Sequence, residues 1–167
     1  MRIAEVLLTD FDSEIASTRR VLQLIPEADP QWKPHAKSMP IGRLAVHVAT
    51  VPTFCTNILT KPELDMAKEK WPDLVFQSTA HLLTTLEQTA GEAKKHLAAS
   101  SDEHLQQTWR LAFQGKTIVE GQRFHLYRIM FLNHMIHHRA QLGVYLRLLN
   151  VPVPGIYGPS ADEPFTP

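Results

Sequence analysis

Apolar residues along the chain recur at the spacing of an α-helix in several separate segments. The first segment, residues 2–25, repeats its apolar positions at multiples near four and is expected to end at Pro26. A second helix is expected to begin at Ile41 and to kink at Pro52, because the proline ring removes a backbone donor. Residues 26–40 contain four prolines and predict an ordered connection without helix.

Two further helices and a short hairpin complete the expected architecture. A third helix is expected over residues 73–99. A fourth, apolar nearly all round, is expected over residues 122–149 and to end at Asn150 in the left-handed conformation. Between them, alternation of apolar and polar residues over 108–121 predicts a short β-hairpin. The pattern therefore predicts an all-α fold, a four-helix bundle formed by one domain over residues 1–167.

A pair of histidines, His134 and His138, lies inside the apolar fourth helix. At about 100° per residue they lie about 40° apart on one helical face, so both imidazoles can reach the same ion. His47 lies in the apolar stripe of the second helix. The alternative is that these histidines only satisfy hydrogen bonds in the core, but several buried imidazoles cost desolvation energy that a bound cation would offset. For His134 and His138 the spacing supports both interpretations about equally, and His47 alone would be interpreted as a core histidine. A metal held by all three imidazoles would keep an open coordination position, as catalytic sites do.

Three residues beside this pair are candidates for a supporting or alternative role. His137 could replace one member of the pair but cannot join both on one face. Gln141 falls on the face of His134, where its amide could orient a neighbouring imidazole, although an ordinary hydrogen bond between helices explains it equally well. Tyr145, which follows the pair in the chain, and Tyr127, which precedes it, are expected on the same helical face as the two histidines.

Charge and cysteine content narrow the classes of function. Seventeen Lys and Arg balance seventeen Asp and Glu, and no basic run exceeds a pair, so we expect no nucleic-acid partner. The longest uncharged run, residues 44–60, is too polar to span a bilayer, so we expect no membrane segment. Cys55 is the single cysteine and is expected to be a core residue, and the N-terminus lacks a signal-peptide pattern. These features favour a cytoplasmic protein.

Two segments around the histidines carry a family resemblance. They are IGRLAVHVAT at residues 41–50 and NHMIHHRAQLGVYLRLLNVPVPGIYGPSADE at residues 133–163. Together they resemble the DinB/YfiT-like family of bacterial metalloproteins, and order and separation match along most of the chain. The resemblance implies a four-helix bundle, usually dimeric, with a divalent metal held by one histidine of the second helix and two of the fourth. In this chain the corresponding residues are His47, His134 and His138.

Three hypotheses for function follow. The family includes thiol-dependent transferases and isomerases, so the first is an enzyme in which the metal activates a low-molecular-weight thiol for transfer to a small electrophile. The second is a metal-dependent hydrolase, which is less favoured because no carboxylate falls on the histidine face to act as a base. The third is a non-catalytic, metal-binding, dimeric stress protein. Three imidazoles suit zinc, nickel or iron, and the apolar fourth helix together with the resemblance predicts a homodimer.

Overall fold

Most of the chain forms helices that pack around one main core, as the apolar periodicity predicts. The computed structural model describes residues 2–71 and 73–165. The elements in chain order are α1 (Ile3–Leu22), α2 (Ile41–Thr50), α3 (Pro52–Thr60), β1 (Glu63–Asp65), α4 (Thr79–Ala99), α5 (Asp102–Gln106), β2 (Thr108–Phe113), β3 (Lys116–Gln122), α6 (Arg123–Tyr127), a π-helical segment (Arg128–Asn133) and α7 (His134–Leu148). Helix α4 packs against α1, α2 and α3, and α7 packs against α1 and α2. The predicted helical bundle is therefore confirmed.

Two helix boundaries show how local residues modify the pattern. The second predicted helix breaks into α2 and α3 at Val51, and Pro52 begins α3, where its missing N–H costs nothing. The expected kink is thus confirmed. The third predicted helix begins at Thr79 rather than at residue 73, because the Ser78 side chain accepts a hydrogen bond from the His81 N–H and caps the helix there.

The fourth predicted helix consists of α6, the π-helical segment and α7 in direct succession. A π-helical turn contains more residues than an α-helical turn, so it changes the direction in which neighbouring side chains point. The hydroxyl of Tyr127 donates to the Leu7 carbonyl of α1 at 3.2 Å, and the Tyr127 ring is fully buried. The prediction that Tyr127 lies on the helical face of His134 and His138 was therefore wrong. The predicted left-handed end is confirmed, with φ of 57° at Asn150.

A small three-stranded sheet accompanies the bundle. The predicted hairpin is confirmed as β2 and β3, which pair in antiparallel fashion, and β1 adds to β2 in parallel. The turn of the hairpin has positive φ at Gln114 and Gly115, a conformation that glycine adopts without strain. The carboxylate of Asp65, at the end of β1, accepts hydrogen bonds from both of their backbone N–H groups, at 3.0 and 2.8 Å. This contact fixes β1 to the hairpin, which the sequence pattern did not indicate.

A buried ion pair joins α7 to α1. Nη1 of Arg139 lies 2.6 Å from Oε2 of Glu14, and the Arg139 side chain is only 3% exposed. The Tyr157 hydroxyl lies 2.7 Å from Arg139 and 2.8 Å from the Glu14 carboxylate, so the C-terminal segment is held by the same group.

Within residues 2–71 and 73–165, no helix has the length and apolar character needed to cross a membrane.

Replacing Glu14 with alanine is expected to destabilise the fold strongly. Because Glu14→Ala leaves the Arg139 charge buried without its partner, the free energy of unfolding should fall by about 3–5 kcal/mol. Asp12→Ala is a matched control on the same helix, since Asp12 pairs with Lys94 at the surface, and its effect should stay within about 0–1 kcal/mol. Urea unfolding measures both values. Equal losses in the two variants would contradict the role assigned to the buried pair.

Candidate metal centre

Three histidines from two helices converge at the contact between α2 and α7. His47 lies in α2, His134 is the first residue of α7, and His138 follows one turn later. One ring nitrogen of each residue lies within 4.8 Å of those of the other two. Nε2 of His47 lies 3.1 Å from Nε2 of His134. The structure therefore brings together the three residues that the sequence selected.

Burial keeps these imidazoles in the neutral form. The pKa of His47 falls from 6.5 to about 4, mainly because burial disfavours the charged ring and further because His134, His138 and Arg43 oppose a nearby positive charge. The pKa values of His134 and His138 are also lowered, and burial is the main cause in both. At neutral pH each ring consequently offers an unprotonated nitrogen, which is the form that binds metals.

Hydrogen bonds orient the two histidines of α7. Nδ1 of His134 lies 3.2 Å from the Met130 carbonyl oxygen, and Nδ1 of His138 lies 2.7 Å from Oε1 of Gln141. Because carbonyl oxygens only accept hydrogen bonds, each Nδ1 carries the hydrogen and each Nε2 keeps a lone pair. Backbone or side-chain acceptors of this kind commonly fix the orientation of metal-binding histidines. Gln141 therefore contacts one of the imidazoles that its amide was expected to reach.

The donor set fits a divalent transition metal. Two nitrogens bound to one zinc ion at about 2.0–2.1 Å lie roughly 2.8–3.4 Å apart for angles of about 90–110°, and Nε2 of His47 and Nε2 of His134 are separated by 3.1 Å. In the part of the chain that the structure describes, no cysteine or carboxylate joins the cluster. Imidazole ligands suit zinc, nickel or iron, whereas magnesium and calcium prefer oxygen. The three histidines could therefore hold one such ion.

The other candidate residues lie at different distances from this cluster. His137 is exposed, and its ring centroid lies 4.9 Å from that of His138, beside the cluster but not in it. Tyr145 is buried, donates its hydroxyl to the Met39 carbonyl at 3.2 Å and packs edge-on against Trp32. It therefore anchors the loop before α2. Cys55 is fully buried in the core, and burial raises the pKa of its thiol, so it is not a reactive group.

A cavity beside His47 is a feature that the sequence analysis did not identify. Its volume is about 280 Å³, and its lining is mostly apolar: His47, Thr50, Val51, Thr53, Phe54, Met66, Trp71 and Leu74. The Phe54 ring centroid lies 5.7 Å from that of His134 and 5.6 Å from that of Trp71. Phe54 follows His47 by seven residues, a spacing that would place both on one face of the single helix predicted over this segment and could have indicated this wall. Trp71 reaches the cavity from a loop, where periodicity gives no signal.

Comparisons with known proteins agree with this architecture. A family model described as the DinB family matches residues 2–165. Protein YrdA of Bacillus subtilis (strain 168), itself uncharacterized, is 27% identical over 158 residues, which cover 93% of this chain and 89% of YrdA. A DinB-like protein from Bacillus cereus ATCC 10987 superimposes with a TM-score of 0.68 at 20% identity, covering 92% of this chain and 97% of that one. A protein from Exiguobacterium sibiricum 255-15 assigned to the DinB family gives 0.65 at 20% identity, covering 92% and 95%. These two structures support the fold.

Proposed function

The chain belongs to the DinB family, and from that premise we propose that His47, His134 and His138 hold one divalent transition metal ion in an enzyme that transfers a low-molecular-weight thiol to a small electrophile. The observation that carries the proposal is the convergence of three neutral imidazoles next to a cavity. Three protein ligands leave coordination positions for a further molecule. A site that only needed to store a metal would not require such a neighbouring cavity.

The proposed reaction needs an activated thiol, a correctly held metal and a leaving group on the electrophile. When bound, the metal lowers the pKa of a thiol that coordinates it, as it does for water. Neutral imidazoles leave the positive charge of the ion uncompensated, and the hydrogen bond of Gln141 holds His138 in position. With a haloarene, the thiol proton passes to solvent, the sulfur forms a bond to the ring carbon, and the halide leaves with the electron pair of the carbon–halogen bond.

The surroundings of the cluster favour thiol transfer over hydrolysis. A hydrolase that activates water benefits from a carboxylate base, and none joins the three imidazoles in the described chain. Arg43 lies one turn before His47 on α2, is exposed, and has its charge close enough to lower the pKa of His47. This positive charge suits a thiol that carries a carboxylate, such as glutathione.

The purified protein is expected to contain close to one divalent transition metal ion per chain. His47→Ala, His134→Ala and His138→Ala should each lose the ion, whereas His125→Ala, which changes an exposed histidine of α6, should keep it. Gln141→Ala should retain the ion with affinity lowered by about 10–100-fold, because His138 loses its orienting acceptor. Elemental analysis measures occupancy. Full occupancy in His134→Ala would refute the assigned ligand set.

Metal-dependent conjugation is expected when bacillithiol, mycothiol or glutathione is supplied with a haloarene or an epoxide. Because the metal contributes several kcal/mol to stabilising developing charge, His138→Ala should lower turnover by about a hundredfold or more. The metal-retaining His125→Ala variant is the control. The outcome against the proposal is that thiols neither perturb the spectrum of the cobalt-substituted protein nor support turnover above His138→Ala. In that case a hydrolase or a non-catalytic metal-binding protein becomes the better description.

We also propose that the chain forms a homodimer through the outer face of α7. Val144 and Leu148 are 60% and 56% exposed on this face, beside a groove of about 430 Å³. Ala140, which is exposed, also lines the groove, and its small side chain allows a second helix to approach closely. Contact between identical faces gives a closed, twofold-symmetric dimer.

Light scattering tests this assembly. Wild-type protein should have the mass of two chains, and Val144→Lys should have the mass of one, because an unpaired charge would be buried in the contact. Val75→Lys is a control at a loop residue that is 63% exposed. A wild-type monomer at high micromolar concentration, or a Val144→Lys dimer, would rule out this interface.

A further inference from the structure

The cavity beside His47 is large enough for a small aromatic molecule. Its volume of about 280 Å³ compares with about 150 Å³ for an engineered protein cavity that already binds benzene. Ligand sites are usually apolar clefts with a few polar groups that fix orientation. Here the polar atoms come from His47, Thr50 and Thr53, and the remaining lining is apolar.

The lining selects against a charged occupant. No aspartate, glutamate, lysine or arginine lines the cavity among the described residues. The Thr50 hydroxyl lies 3.0 Å from the carbonyl oxygens of both Val46 and His47, so its hydrogen is already engaged with the backbone. Moving a charge from water into such surroundings is costly unless a partner compensates for it. Apart from a metal ion at the histidine cluster, the cavity offers a charged group no partner, so a neutral molecule is the better match.

Two aromatic rings in contact with each other form part of the wall. The rings of Phe54 and Trp71 lie 5.6 Å apart between centroids, inclined by 34°. The Trp71 indole N–H donates to the Met66 carbonyl at 3.1 Å, which holds the ring in place, and Trp71 remains 43% exposed. Aromatic pairs at such distances gain from their ring electrostatics in addition to buried area. A flat aromatic ring would make the same kind of contact with these side chains.

We propose that this cavity binds the electrophile as a neutral aromatic molecule of one or two rings, with Phe54 and Trp71 as its main contacts. The identification of the occupant as the electrophile rests on the proposed thiol transfer. The binding of a neutral aromatic ring depends on the cavity wall and not on the metal. The cavity also places that ring against His47, on the side of the cluster where Phe54 meets His134.

Calorimetric titration of the full-length protein with nitrobenzene tests the inference directly. Wild type should bind nitrobenzene saturably. The metal-free His138→Ala variant should bind nitrobenzene at least about tenfold more tightly than benzenesulfonate, which has a ring of the same size but carries a charge. Trp71→Ala should weaken nitrobenzene binding by about tenfold, because one aromatic contact is lost. Ile118→Ala, a control at an exposed residue of β3, should bind as the wild type does.

A variant that fills the cavity provides a second test. Thr53→Phe should abolish nitrobenzene binding, whereas Thr60→Phe, at an exposed residue of the same helix, should leave it unchanged. Equal affinity of His138→Ala for benzenesulfonate and nitrobenzene, undiminished nitrobenzene binding by Thr53→Phe, or no saturable nitrobenzene binding by wild type would overturn the inference.

The His138→Ala variant separates this inference from the proposed function, because His138 does not line the cavity. We expect it to bind nitrobenzene within about twofold of wild type after losing its metal, since the apolar contacts remain. If His138→Ala kept both its metal and its turnover, the proposed function would be wrong, whereas the aromatic site would be unaffected. Metal-loaded wild type that fails to bind nitrobenzene would defeat the aromatic site alone.

Discussion

The rotation of α7 about its own axis is the constraint on which the site depends. On one side of this helix, Arg139 forms a buried ion pair with Glu14 of α1. Burying a guanidinium group without a partner would cost several kcal/mol, so the helix is stable only when Arg139 faces α1. The neighbouring residue in the chain, His138, is thereby turned towards His47 of α2. An interaction that contributes to folding thus also sets the position of a candidate ligand.

The histidine cluster and the cavity beside it share surroundings of low polarity. Burial lowers the pKa values of all three imidazoles, so their nitrogens remain available to a cation at neutral pH. The same burial would leave the facing nitrogens of His47 and His134 poorly satisfied if no cation or proton lay between them. Apolar walls continue from the cluster into the cavity, and weaker solvent screening there strengthens electrostatic interactions with a reacting molecule.

The helical periodicity of the sequence placed the histidines correctly, but it did not predict the position of every residue around them. The spacing of His134 and His138 lies within one regular α-helix, so rotation per residue placed them on one face correctly. The same argument failed for Tyr127, because the π-helical segment lies between it and His134. The start of α4 depended on a single capping serine, and β1 depended on pairing with a distant strand. Trp71 lies in an irregular loop, so its place in the cavity wall follows from tertiary packing alone.

Anomalous X-ray diffraction from crystals of the purified protein tests the central claim most directly, because it locates a bound transition metal without reference to activity. The account predicts one strong anomalous peak per chain, within coordination distance of Nε2 of His47, His134 and His138. No fourth protein ligand should be present, and an open position should face the cavity formed by Phe54 and Trp71. A peak at another site, or a fourth side chain that closes the coordination sphere, would contradict it.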